Sequence, residues 1–111
     1  MSGTLRSLVE NEVQKILHHG KANSQRVAIA LGLSERTLSQ RLAEEDTSFD
    51  HVLDRLRHSL ALQYVKERRI SLDQIAWLLG YEGPTSFNYA FARWTGRSAS
   101  EARKEQERHK D

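Results

Sequence analysis

The chain is predicted to be all-α, with about seven helices forming two helix-turn-helix subdomains joined by a long central helix. Three observations lead there. Apolar residues recur at three-and-four spacing, and no segment shows the strict alternation of a half-buried strand. Ser, Thr or Asn stands just ahead of most apolar runs and Gly just behind them, the punctuation of helix starts and stops. The segments flanking the central helix also resemble each other.

Thr4 caps a first helix whose apolar face is Leu5, Leu8, Val9, Val13, Ile16 and Leu17, with Gly20 as its C′ residue. Asn23 caps a short helix from Ser24 to Leu31, closed by Gly32. Ser34 caps the next, Glu35 to about Glu44, with Leu38 and Leu42 on its core side; the acidic run Glu44-Glu45-Asp46 ends it. The central rod is read over Ser48 to Arg69, with Phe49, Val52, Leu53, Leu56, Leu60, Tyr64 and Val65 in one stripe. Its roughly 21 residues would span about 30 Å. Ser71 and Gln74 form a capping box for a helix through Leu79, closed by Gly80. Pro84 sits at N1 of the next helix, where its missing N–H costs nothing, and Gly96 ends it. Phe87, Phe91 and Trp94 form its buried side. Ser98 and Glu101 make a second capping box for a last, highly charged helix that frays near Lys110.

The flanks form an internal repeat. Asn23-SQRVAIALGL aligns without a gap on Ser71-LDQIAWLLGY, so cap matches cap, Val27-Ala28 matches Ile75-Ala76, and Gly32 matches Gly80. One extra residue in the second turn then brings Leu38 onto Phe87 and Leu42 onto Phe91. A small Ala in each first helix permits close approach of the second, and Gly supplies the positive φ of the turn.

Composition sets the outer limits. A chain of 111 residues with 29% charged and 38% hydrophobic residues fits one globular domain. There is no cysteine, hence no disulfide framework, thiol nucleophile or Cys-based zinc site, and a reducing cytoplasm suits it. No apolar stretch is long enough to span a bilayer. The net charge of +2 permits nucleic-acid binding without arguing for it, so the case rests on where the charges lie.

Taken together, Ala28-x3-Gly32-x-Ser34-x3-Leu38, Arg57-x3-Ala61, Ile75-Ala76-x3-Gly80-Tyr81 and Phe87-x3-Phe91-x-Arg93-x2-Gly96 resemble the AraC/XylS family of bacterial transcription regulators. The resemblance covers roughly residues 22 to 103 and is most specific in GYEGPTSFNYAFARWTG. It implies one DNA-binding domain over 1–111: a first helix-turn-helix at 22–46, a linker helix at 48–69, a second helix-turn-helix at 71–96 and a C-terminal helix at 98–108. The sequence departs from the family pattern at Asp46, where Gly is usual, at His58, where an aliphatic residue is usual, and at Ser98 to Arg103, where the family closes with Thr-Pro-x-x-Tyr-Arg. The family's separate effector-binding or dimerisation domain is not expected in this chain, which would make it a stand-alone regulator or an excised domain.

In a helix-turn-helix the second helix enters the major groove. Opposite Leu38 and Leu42 lie Arg36, Ser39 and Gln40; opposite Phe87 and Phe91 lie Thr85, Asn88 and Tyr89, and the repeat pairs the two sets in order. The resemblance implies base contacts at the same places. Arg36 suits guanine O6/N7, and Gln40 and Asn88 suit adenine N6/N7. Thr85 and Tyr89 offer methyl or ring contact to thymine, or reach a phosphate. Thr37, Arg41, Arg57, Ser86, Arg93 and Arg97 are placed as phosphate contacts that set register. Arg57 is alternatively placed to pair with Asp54 or Asp50.

The rod would hold the two reading helices about one DNA turn apart, ~34 Å, over an asymmetric site. Double-stranded DNA is the expected partner, RNA polymerase a second one through acidic residues such as Glu10, Glu12 and Glu44-Glu45-Asp46. The other reading is a helical protein-interaction module docking polymerase or another regulator. His51, Asp54 and His58 share a face of the rod but lack a fourth ligand, so no metal or other cofactor is expected. His18 and His19 complement a helix dipole. Trp77 and Trp94 are read as core wedges. No nucleophile set or Gly-rich phosphate loop is recognisable, and catalysis is not expected.

Overall fold

The computed structural model describes residues 4–19 and 22–108. Seven α-helices follow one another: α1 (Leu5–Ile16), α2 (Ser24–Ala30), α3 (Glu35–Glu44), α4 (Phe49–Val65), α5 (Leu72–Leu78), α6 (Pro84–Thr95) and α7 (Ala99–Arg108). A 3₁₀ turn, Leu17–His19, extends α1, and no strand occurs among the described residues. The expected helix-ending Gly20 and the fraying near Lys110 fall outside the described residues.

Local chemistry accounts for the boundaries. Thr4, Asn23, Ser34, Ser48 and Ser71 each accept a hydrogen bond from the amide of the third helical residue, satisfying a donor the helix itself cannot. Both capping boxes form, Ser71 with Gln74 and Ser98 with Glu101.

The two helix-turn-helix turns close identically. In the first, Gly32 N–H donates to Ile29 O at 3.0 Å and Leu33 N–H to Ala28 O at 2.8 Å. In the second, Gly80 donates to Trp77 at 3.0 Å and Tyr81 to Ala76 at 2.9 Å. This is the Schellman pattern, which needs a left-handed residue, and Gly32 and Gly80 supply it at φ 72° and 85°. The same closure ends α3, where Asp46 donates to Ala43 and Thr47 to Leu42, both at 3.0 Å. There the left-handed position, φ 61°, falls on Asp46, one of the departures noted above.

The central helix is shorter than the sequence suggests. It ends at Val65, giving 17 residues and about 25 Å rather than a rod to Arg69. The cause lies far along the chain. Arg103 on α7 donates Nε–H to Val65 O (3.2 Å) and Nη2–H to Tyr64 O (3.2 Å) and Glu67 O (3.1 Å). A guanidinium there satisfies carbonyls that another helical turn would use, and its charge suits a helix C-terminus.

One apolar core runs through both units. Val27, Ala28, Leu38 and Leu42 fill the first, Ile75, Ala76, Leu79, Phe87 and Phe91 the second, and Val52, Leu56, Ala61 and Val65 of α4 join them. The rings of Phe87 and Phe91 meet edge-on at 5.9 Å. Val9 and Val13 of α1 are fully buried, and α1 packs along α4. Trp94 is half-buried against this core, but Trp77 is not a wedge: it is 59% exposed, with the His18 ring 5.3 Å from its own. On a helical wheel Trp77 stands about 200° from Ile75, so it points away from the side that α5 buries.

Candidate nucleic-acid interface

Each second helix presents a polar face away from the core. On α3, Arg36, Ser39, Gln40 and Arg41 are exposed. Thr37 is half-buried, its hydroxyl oxygen accepting from Ser34 Oγ at 3.0 Å. On α6, Thr85, Ser86 and Tyr89 are exposed, Tyr89 by 76%. Asn88 is half-buried, and its Oδ1 has no hydrogen-bond partner among the described residues. The difference between the helices has a cause in their neighbours. The α7 helix packs on α6, and Ala90 is buried where its repeat counterpart Arg41 is exposed. The α6 helix is therefore turned further into the protein than α3.

Three of the arginines expected at phosphates are held by the protein. Arg57 is half-buried; its Nε–H donates to Leu79 O at 2.8 Å, and its guanidinium lies 4.6 Å from the Tyr81 ring centre. It ties the end of α5 to the middle of α4, a structural role that neither Asp54 nor Asp50 fills. Arg93 pairs with Asp54 through Nη2 and Oδ1 at 3.0 Å, on the surface. Arg97 pairs with Glu105. For the phosphate role expected from the sequence, Arg93 and Arg97 would have to exchange a carboxylate for the phosphate, an exchange that costs little at exposed sites.

Asp54 is a junction that sequence reasoning missed. Besides Arg93 it accepts from Trp94 Nε1 at 3.1 Å to each oxygen, and Trp94 stacks on His58 at 5.1 Å. Burial alone would raise its pKa, but the hydrogen bonds from Arg93 and Trp94, with the charges of Arg93 and His58, outweigh this and lower it. These contacts also occupy two members of the His51-Asp54-His58 face. Among the described residues no group of three His, Cys, Asp or Glu is placed to hold a metal. No described helix is long and apolar enough to cross a membrane.

Two Gly-turn units with matching hydrogen bonds on a shared core define a tandem helix-turn-helix module. The comparisons with known proteins agree. Residues 27–105 match the family model described as "Helix-turn-helix domain". The transcriptional regulator VqsM of Pseudomonas aeruginosa is 38% identical over 73 residues, 66% of this chain and 22% of that protein. The crystal structure of the transcriptional regulator CdpR, from the same species, superposes with a TM-score of 0.69 at 41% identity, covering 74% of this chain and 26% of that one. A DNA-binding transcriptional dual regulator from Escherichia coli K-12 superposes with a TM-score of 0.91 at 25% identity, over 98% of this chain and 97% of that one. The chain belongs to the AraC-type helix-turn-helix family, a family of DNA-binding transcription regulators rather than enzymes. It spans about a quarter of the length of the curated relatives it matches.

Proposed function

We propose that the chain binds double-stranded DNA in a sequence-specific way, with α3 and α6 in successive major grooves, and so regulates bacterial transcription. The observation that carries this is the repeated turn: matching closures at Gly32 and Gly80 set two polar helix faces on one shared core. The molecule's longest extent of 48 Å is enough to span one DNA turn, ~34 Å. Arg36, Ser39 and Gln40 read bases in one groove. Thr85 and Tyr89 read the other, with Asn88 contributing at the margin once its amide turns outward. Thr37, Arg41, Ser86, Arg93 and Arg97 take phosphates. The first turn of α6 supports this, because its N-cap Gly83 offers no side-chain acceptor and leaves the amides there for a phosphate oxygen.

In this reading the chain acts in a bacterial cytoplasm, at the nucleoid, as an activator. Contact with RNA polymerase falls to exposed Glu44 and Asp46, since Glu45 is taken up within the protein. Selection of bound duplexes from a random library tests the proposal. It should return a non-palindromic site with two parts about one turn apart, bound with an affinity that falls steeply with salt. Equal binding to all duplexes, or none, would overturn it.

A further inference from the structure

The spacing between the two reading helices is held by more than α4. The carboxylate of Glu45, at the end of the first unit, accepts from the first two amides of α1: Leu5 N–H to Oε2 at 2.9 Å and Arg6 N–H to Oε1 at 3.2 Å. At the other end, the 3₁₀ turn that extends α1 packs on α5 of the second unit, with Leu17 buried and the His18 ring against Trp77. Between these ends, Val9 and Val13 are buried and α1 lies along α4. This helix precedes the stretch matched by the family model, which begins at residue 27.

We infer that α1 is a second strut between the units, with Glu45 and Trp77 as positioning residues that fix the separation and orientation of α3 relative to α6. The second unit is bound to α4 directly through α5, α6 and α7. The first unit joins α4 at the Asp46 turn, about which it could swing, and α1 packs on α2, α3 and α4 together. Two connections anchored at both ends resist that swing, because any rotation must break the Glu45 contacts or slide the 3₁₀ turn across Trp77. Orientation held in advance need not be ordered on binding, and for a two-part ligand this raises the effective concentration of the second part. The inference rests on the proposed two-groove reading only for its consequence in DNA binding.

The test separates the two. The chain has no cysteine, so Ala43→Cys and Ala92→Cys, both exposed on the reading helices, give one defined pair of spin labels. Electron–electron distance measurements should give a narrow distribution in this parent and a broader one after Glu45→Ala or Trp77→Ala. Trp77 is exposed, so its variant keeps the fold even if loss of the α1 cap does not, and Glu45→Gln serves as the milder change at the other end. Unchanged widths in the Trp77→Ala and Glu45→Gln variants overturn the strut, whatever the DNA result. On DNA, Glu45→Ala should lose about tenfold in affinity for a correctly spaced duplex and respond less than wild type to inserted base pairs between the two parts. Indifference of the wild type itself to that spacing would instead sink the two-groove reading, leaving the distance measurement to decide the strut.

Discussion

Arg103→Ala tests how the end of the central helix is set. The side chain is half-buried and gives three hydrogen bonds to the carbonyls of Tyr64, Val65 and Glu67. Water can reach the exposed part of this site, so each bond is worth only about 0.5–0.7 kcal/mol, below the usual range for a charged donor. Together with the favourable charge at a helix C-terminus, the loss comes to about 2–3 kcal/mol. For a domain of this size that lowers the melting temperature by roughly 8–12 °C. The companion change, Arg103→Lys, keeps the charge but not the planar fork, so it should recover about a third of the loss. Thermal unfolding followed by circular dichroism reads both. A melting temperature for Arg103→Ala within about 1 °C of wild type would show that the α4 end is fixed by its own sequence and not by α7, and full recovery by lysine would show that charge alone, without the planar fork, is what α7 supplies.

Four further outcomes follow from named contacts. Asp46→Gly should stabilise the chain by about 0.5–1 kcal/mol, because glycine removes the cost of a side chain at φ 61°; a lower denaturation midpoint would refute this. Gly32→Ala should destabilise it by about 1 kcal/mol through conformation alone, since an added Cβ there meets no atom within 4 Å. Asp54 has a folded pKa below its unfolded value, so the stability it adds is present above the ordinary carboxylate pKa of about 3.9 and fades as pH falls through the folded one. The advantage of wild type over Asp54→Asn in urea unfolding should accordingly hold near neutral pH and shrink in acid, and a difference independent of pH would count against the ion pair. Arg36→Ala should cost about 1–3 kcal/mol on the preferred duplex and relax one base position, whereas Arg93→Ala should weaken all duplexes alike and flatten the salt dependence; direct binding titrations distinguish the two.

The parts of this fold legible in the sequence are those specified within a few residues. Caps at Thr4, Asn23, Ser34, Ser48, Ser71 and Ser98 and turns at Gly32 and Gly80 depend on one or two neighbours, and they stand where the pattern puts them. What escaped is what distant residues decide. The end of α4 depends on Arg103, 38 positions beyond Val65, and the partners of Arg57 and Asp54 lie just past α5 and on α6. One misreading and one unread feature carried a usable signal. The wheel position of Trp77 contradicts its apolar character, and Ala90 opposite Arg41 in the repeat marks the face by which α6 is sunk deeper than α3.

The core holds no polar side chain among the described residues, and the polar face of α3 contributes nothing to it. Arg36, Ser39, Gln40 and Arg41 can thus be exchanged as a set with little effect on folding, which under the proposed reading would let the α3 end be retargeted to new operators. The α6 end is less malleable, because Ala90 is buried and Asn88 is half-buried on the side where α6 docks. If α3 and α6 read DNA as proposed, exchanges on α3 should change one half of the bound site at little cost in stability. Exchanges at Ala90 or Asn88 should cost stability as well.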